Sequence, residues 1–269
     1  MTGEVAQAIV LVAHGNAILT GDAGAGRALS LYREPFKVIS LAFVRDGTTV
    51  ASAPLAWIDD LRRRGARRLA LTYLQARADW LPAHDTVAFA GGSGVMIATD
   101  VRPTPELWAA EWRADVGALH RRDERVWHVV YHAAEPPVPV RADEPPAARY
   151  ELERARDHLQ AALEAIIDFA GPSAWTTGFF APALKLLLAP EVLVPASGLE
   201  LLPPTGYGVA ARRLLAAATL ASSVFGGMGS WNDQGHADRR DDYEAVTERL
   251  FRATQAATAA AVNAFGVDA

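Results

Sequence analysis

Hydrophobic and polar positions change their period along this chain of 269 residues. The first half alternates short β-type runs with turn signals. Ala8 to Ala13 is apolar and valine-rich and predicts a strand; His14-Gly15-Asn16 reads as a tight turn into Ala17-Ile18-Leu19, and Gly21 to Gly26 as a flexible connection. Phe36 to Val44 predicts a second strand, closed by the turn pair Asp46-Gly47 and followed by Thr48-Thr49-Val50. With Ser52 as N-cap and Pro54 in the first turn, the period becomes helical, and Leu55, Ile58 and Leu61 form an apolar stripe that Gly65 ends. Leu69 to Tyr73 predicts the next strand. Val87 to Ala90 and Val95 to Ala98 flank Gly91-Gly92-Ser93-Gly94 as a hairpin would. Residues 105–116 fit either state, because Trp108 and Trp112 share a helix face while Trp108, Ala110, Trp112 and Ala114 also alternate; Val126 to His132 is a clear strand.

Between Glu135 and Pro146 stand Pro136, Pro137, Pro139, Pro145 and Pro146, a composition that favours stiff polyproline II at about 3.1 Å per residue. Beyond it the period stays helical to the end. Leu152, Ala155, Leu159, Leu163, Ile166 and Ala170 make one stripe, stopped by Gly171-Pro172. Ser173 caps a helix carrying Trp175, Phe179 and Phe180, which Pro182 kinks or restarts. Val209 to Phe225 turns apolar all round after Arg213, as the central helix of a bundle does, and a last helix runs from about Arg239 to Phe265. The fold predicted is α+β: a mixed, mostly antiparallel N-terminal β-sheet with one or two helices, followed by a C-terminal α-helical bundle docked against it. Residues 1–134 form the β-rich half, 135–147 the proline-rich strap (a domain boundary or a strap across one body), and 148–269 the helical half.

Composition narrows the chemistry. The chain has no cysteine, which excludes thiol nucleophiles, disulfides and Cys-ligated metals. A net charge of −5 disfavours nucleic acid and anionic membrane, and the longest nearly apolar stretch, Leu214 to Phe225, is too short to span a bilayer. Two lysines, Lys37 and Lys185, against two dozen arginines point to a GC-rich bacterial genome, and a first segment without a basic region points to the cytoplasm. The densest basic run, Arg62, Arg63, Arg64, Arg67 and Arg68, reads as a solvated face.

The most unusual stretch is Gly226 to His236. Trp231, Asn232, Asp233 and His236 are its candidate binding residues: Asp233, His236 and Asp238 offer oxygen and imidazole groups at the negative end of a helix dipole. The structural alternative has Gly226 as a helix C-cap, Asp238 as the next N-cap and Trp231 plugging the core. Other motifs fail. The turn at Ser93 has Val95 where a nucleophile elbow needs glycine, and Gly21, Gly24 and Gly26 are followed by Arg27 and Ala28, not the Lys-Ser/Thr of a phosphate loop. His128 and His132 stand about 13 Å apart on one strand, too far to share a zinc ion. No catalytic residue, metal site or cofactor is assigned. The expectation is a non-catalytic binding protein whose partner is another protein or its own copy. The alternative is an enzyme, or a small-ligand or metal binder, with its site where the halves meet, using Asp233, His236 and Ser93 or His14.

Overall fold

A computed structural model describes residues 2–30, 37–73, 94–101, 104–121, 125–134, 145–192, 196–226, 229–234 and 236–267. Helices α1 (Gly3–Leu19) and α2 (Ala23–Ser30) precede a hairpin of β1 (Val38–Arg45) and β2 (Thr48–Ala51). Helix α3 (Pro54–Arg63) then leads to β3 (Leu69–Tyr73), β4 (Val95–Thr99), β5 (Glu106–Ala114), the short α4 (Val116–Arg121) and β6 (Trp127–Ala134). The six strands form one sheet in the order β2-β1-β6-β5-β4-β3. Among the described residues only β1 and β6 pair in parallel; the other four pairings are antiparallel. Helix α3 thus carries the chain from one edge of the sheet to the other, and the β3–β6 meander brings it back beside β1. The Asp46-Gly47 turn has φ of 50° and 74°, the two left-handed residues of a type I′ hairpin.

The helical half consists of α5 (Pro145–Ala170), a π-helical turn (Thr176–Phe180) running into α6 (Ala181–Leu188), α7 (Val209–Ser222) and α8 (Arg240–Asn263), with single 3₁₀ turns at Leu199–Leu201, Trp231–Asp233 and Ala237–Arg239. The inner face of the sheet, α1, α3 and these helices share one continuous core. At its sheet end Phe43 stacks on Trp57 at 4.4 Å and on Tyr131 at 5.2 Å, with Trp108 edge-on to both Phe43 and Trp57. Beside them Arg45 binds Glu106 through two nitrogens, at 2.8 and 3.2 Å, and Asp60 at 3.1 Å. This pins α3 to the sheet.

The largest departure from expectation is α1. Ala8 to Ala13 is not a strand, His14-Gly15-Asn16 is not a turn, and both lie inside one helix of 17 residues. The helix is enclosed between β3 and β4 on one side and α8 on the other, so every side of it is apolar and the helical period vanishes from the sequence. Its approach to the sheet is close enough that a Cβ on Gly15 would fall 2.5 Å from Leu69 Cδ1 and 2.9 Å from Ile58 Cδ1. The Gly21–Gly26 segment, expected to be a flexible connection, contains the start of α2, with Asp22 accepting the Gly24 N–H at 2.8 Å.

Smaller corrections have local causes. The N-cap of α3 is Ala53, held extended before Pro54, and not Ser52; Trp57 joins Ile58 and Leu61 inside, while Leu55 is exposed. Residues 106–114 are a strand, because β4 and β6 pair with both of its edges. The expected partner of Val95–Ala98, Val87 to Ala90, lies outside the described residues; β4 is already paired on both sides, by β3 and β5. Residues 135–144 of the strap lie outside the described residues as well, and Pro145 and Pro146 open α5, where a missing N–H costs nothing. Helix α7 ends at Ser222, so Gly226 is not its C-cap, and α8 is preceded by Arg239, so Asp238 is not its N-cap. The arginine run is only partly a solvated face. Arg62 donates to the Ile18 carbonyl at 2.8 Å and Arg68 to that of Asn263, capping the C-terminal ends of α1 and α8, while Arg64 sits 2.7 Å from Glu106.

Strand β3 is an edge, and its outward backbone groups are closed by two asparagines. Asn16 of α1 donates to the Leu69 carbonyl at 2.9 Å and accepts the Leu69 N–H at 2.8 Å. Asn263 of α8 does the same to Leu71, at 2.9 and 2.7 Å. Each side-chain amide imitates a neighbouring strand, so an open edge becomes a buried seam.

Candidate functional site

The loop that the sequence singled out folds into the end of the bundle. Trp231 is 1% exposed; its indole N–H donates to Thr247 Oγ1 at 2.8 Å and its carbonyl accepts the Tyr243 hydroxyl at 2.5 Å. Phe169, Trp175 and Phe180 meet its ring edge-on at 5.2–6.4 Å. The π-helical turn belongs to the same nest, presenting Phe180 to the indole. His236 is exposed, yet its ring centroid lies 5.1–5.5 Å from those of Tyr243, Phe169 and Trp231. Arg239 lies over the far partner, Phe169, at 4.1 Å. Asp233 is exposed and accepts the Gly229 N–H at 2.9 Å within its own loop, and Asn232 is half-buried. The structure therefore brings Trp231 and His236 together and turns Asp233 back on its own loop. The contacts named here all come from the loop itself or the C-terminal helices.

Ser93 lies outside the described residues. His14 is buried in α1, near the backbone of Ala25 and of Leu201 and facing Asp22. Burial pushes its ring below the ordinary histidine value. Asp22 in turn accepts the Thr205 hydroxyl at 3.1 Å, linking α2 to the helical half, and that bond holds its carboxyl below the usual range.

A second constellation lies on the outer face of the sheet, opposite the core, and sequence reasoning missed most of it. Between Val38 and Ser40 the β1–β6 register slips: Val38 pairs with Trp127, but Ser40 pairs with His128. The extra residue, Ile39, places Ser40 beside the imidazole, a re-aiming that bulges commonly perform. Ser40 Oγ lies 2.7 Å from His128 Nδ1, and His128 Nε2 lies 3.5 Å from Asp115 Oδ2. Asp115 follows β5 and accepts the Ala118 N–H at 2.8 Å through Oδ1; that bond first, and His128 after it, hold its carboxyl below the usual range. Across β5, Arg113 pairs in register with His128 and binds Glu111 at 2.8 Å, and His132 Nε2 lies 3.6 Å from Glu111. The Arg113 bond keeps the Glu111 carboxyl low. His128 and His132 share this face, as the strand period requires, but each has its own carboxylate. Among the described residues no group of three or more His, Asp or Glu side chains is placed to hold a metal ion.

Chemically, the row offers a hydroxyl bonded to an imidazole whose other nitrogen faces a carboxylate, on an open surface. His128 was visible in the sequence. Ser40 was not, because the pairing of β1 with β6 joins residues 88 apart and depends on a bulge that no local pattern announces, and Asp115 was not, because it meets His128 only through the pairing of β5 with β6. No family model matches the chain, and no curated protein and no solved structure matches it. No helix among the described residues is long and apolar enough to cross a membrane.

Proposed function

We propose that the protein works by binding another protein, or a second copy of itself, through the outer face of its sheet. One observation supports this above others: the core-forming helices pack with the inner face, while Ser40, Glu111, Arg113 and His132 stand exposed on the outer one, with His128 and Asp115 partly so. Half-buried Ala42 and Val130 pair between them, giving the polar row an aliphatic centre. Such a mixture of small apolar and paired charged groups suits a protein surface. Nucleic acid is disfavoured, since the row carries two carboxylates against one guanidinium and the chain a net −5.

The test is site-specific photocrosslinking in the organism that makes the protein. Benzoylphenylalanine in place of Ala42 or His132 is expected to give a discrete adduct, with the chain itself or one other protein, that the same residue in place of exposed Glu164 on α5 does not give. No adduct from the sheet positions, or the same adducts from all three, would end this reading. A second reading, an enzyme, is favoured by the arrangement of Ser40, His128 and Asp115, which lies on this face and not at the junction of the two halves.

A further inference from the structure

We infer that Ser40 is a base-activated nucleophile that takes acyl groups from small activated esters, with His128 as its general base and Asp115 as the group that positions His128. The inference rests on the enzyme reading and not on partner binding. Three placements carry it. The Ser40 hydroxyl is within 2.7 Å of His128 Nδ1, the distance proton transfer requires. The opposite ring nitrogen faces Asp115 at 3.5 Å, and Asp115 is itself fixed by the Ala118 N–H at 2.8 Å. The register slip at Ile39 then aligns serine with histidine, where an unbroken ladder would set Ile39 there instead. A nucleophile, a base in contact with it and a third group orienting the base are the parts that acyl transfer needs.

The step balances with ester and water alone. As Ser40 Oγ bonds to the ester carbonyl carbon, its proton passes to His128 Nδ1 and the carbonyl π pair moves onto oxygen. Collapse breaks the bond to the alcohol oxygen, which takes the proton from Nδ1, leaving acyl-Ser40. Water then adds to the acyl carbon, giving its proton to Nδ1; the bond to Oγ breaks, Oγ recovers that proton, and a carboxylic acid leaves. Throughout, Nε2–H faces Asp115 at 3.5 Å, which holds the ring's orientation. Arg113, in register with His128, is already bound to Glu111 at 2.8 Å, and the row carries two carboxylates against one guanidinium, so small uncharged esters are the preferred class. Ser40 is exposed, and developing oxyanion charge is met by water. The gain is therefore that of general-base assistance, about 10²–10⁴.

The test uses the intact protein with 4-nitrophenyl acetate and a sulfonated 4-nitrophenyl ester. We expect one equivalent of acetyl on Ser40, located by mass spectrometry of the quenched protein, and a roughly hundredfold loss of hydrolysis in Ser40→Ala and in His128→Ala. His158→Ala, an exposed histidine on α5, should leave the rate unchanged. Asp115→Asn should shift the pH–rate profile while leaving Ser40 acylated, as befits a positioning residue. The sulfonated ester should react more slowly than the acetate. Ser40, His128 and Asp115 sit at the surface, so far-UV circular dichroism should match across the set. Retention of the rate in Ser40→Ala, or acetyl found only on histidine or lysine, would overturn the inference. Either result would leave the crosslinking outcome untouched.

Discussion

Replacing Asn16 with alanine isolates the device that closes the sheet at β3. Asn16 is 2% exposed, and its amide makes both hydrogen bonds that Leu69 directs away from the sheet. Alanine leaves that N–H and that carbonyl buried without partners, at about 1–3 kcal/mol each. Against this, alanine is a better helix former than asparagine by roughly 0.7 kcal/mol. The balance is a loss of about 3 kcal/mol, a fall in melting temperature of roughly 6–12 °C for a chain of this size class. Urea unfolding followed by far-UV circular dichroism gives the stability difference. Amide exchange gives its location: Leu69 should lose protection while Ile97, in the neighbouring strand, keeps most of its own. Asn263→Ala, at the half-buried end of the same edge, should cost less and expose Leu71 instead. With both changed, the bare edge should also make the protein aggregate on storage. A loss below about 1 kcal/mol in Asn16→Ala, or equal exchange changes at Leu69 and Ile97, would refute the clamp.

Two further predictions concern the other buried polar features. Trp231→Ala should destabilise by about 3–5 kcal/mol, since it empties the nest of Phe169, Trp175 and Phe180 and strands the Thr247 hydroxyl, whereas Asp233→Ala and His236→Ala should each cost under about 1 kcal/mol in the same urea titration. Equal losses in all three would mean that the loop is held by its polar residues and not by the indole. His14 should make stability depend on pH: burial lowers its value in the folded state, so the unfolded chain takes the proton first as pH falls through about 6.5. Stability due to His14 is therefore intact above that pH, falls below it and levels out beneath the depressed native value. The difference between wild type and His14→Phe, measured from pH 8 to 4.5, should show that fall; a flat or inverted difference would contradict it.

Local chemistry written in the sequence settled those elements whose environment is one-sided. Val38–Arg45, Leu69–Tyr73 and Trp127–Ala134 alternate because one face meets the core and the other does not; Asp46-Gly47 dictates its own turn; and α5 and α8 show their stripes because one side of each remains in water. Tertiary structure decided the rest. Helix α1 is surrounded, so its apolar run carries no period and reads as well for a strand. The role of Asn16 and Asn263 depends on where two helices end against an edge strand. Ser40 meets His128 only because a bulge shifts the β1–β6 register by one residue, and Asp115 meets it only because β5 pairs with β6. Such placements join positions tens to nearly two hundred residues apart, and a pattern that repeats every two or 3.6 residues holds no record of them.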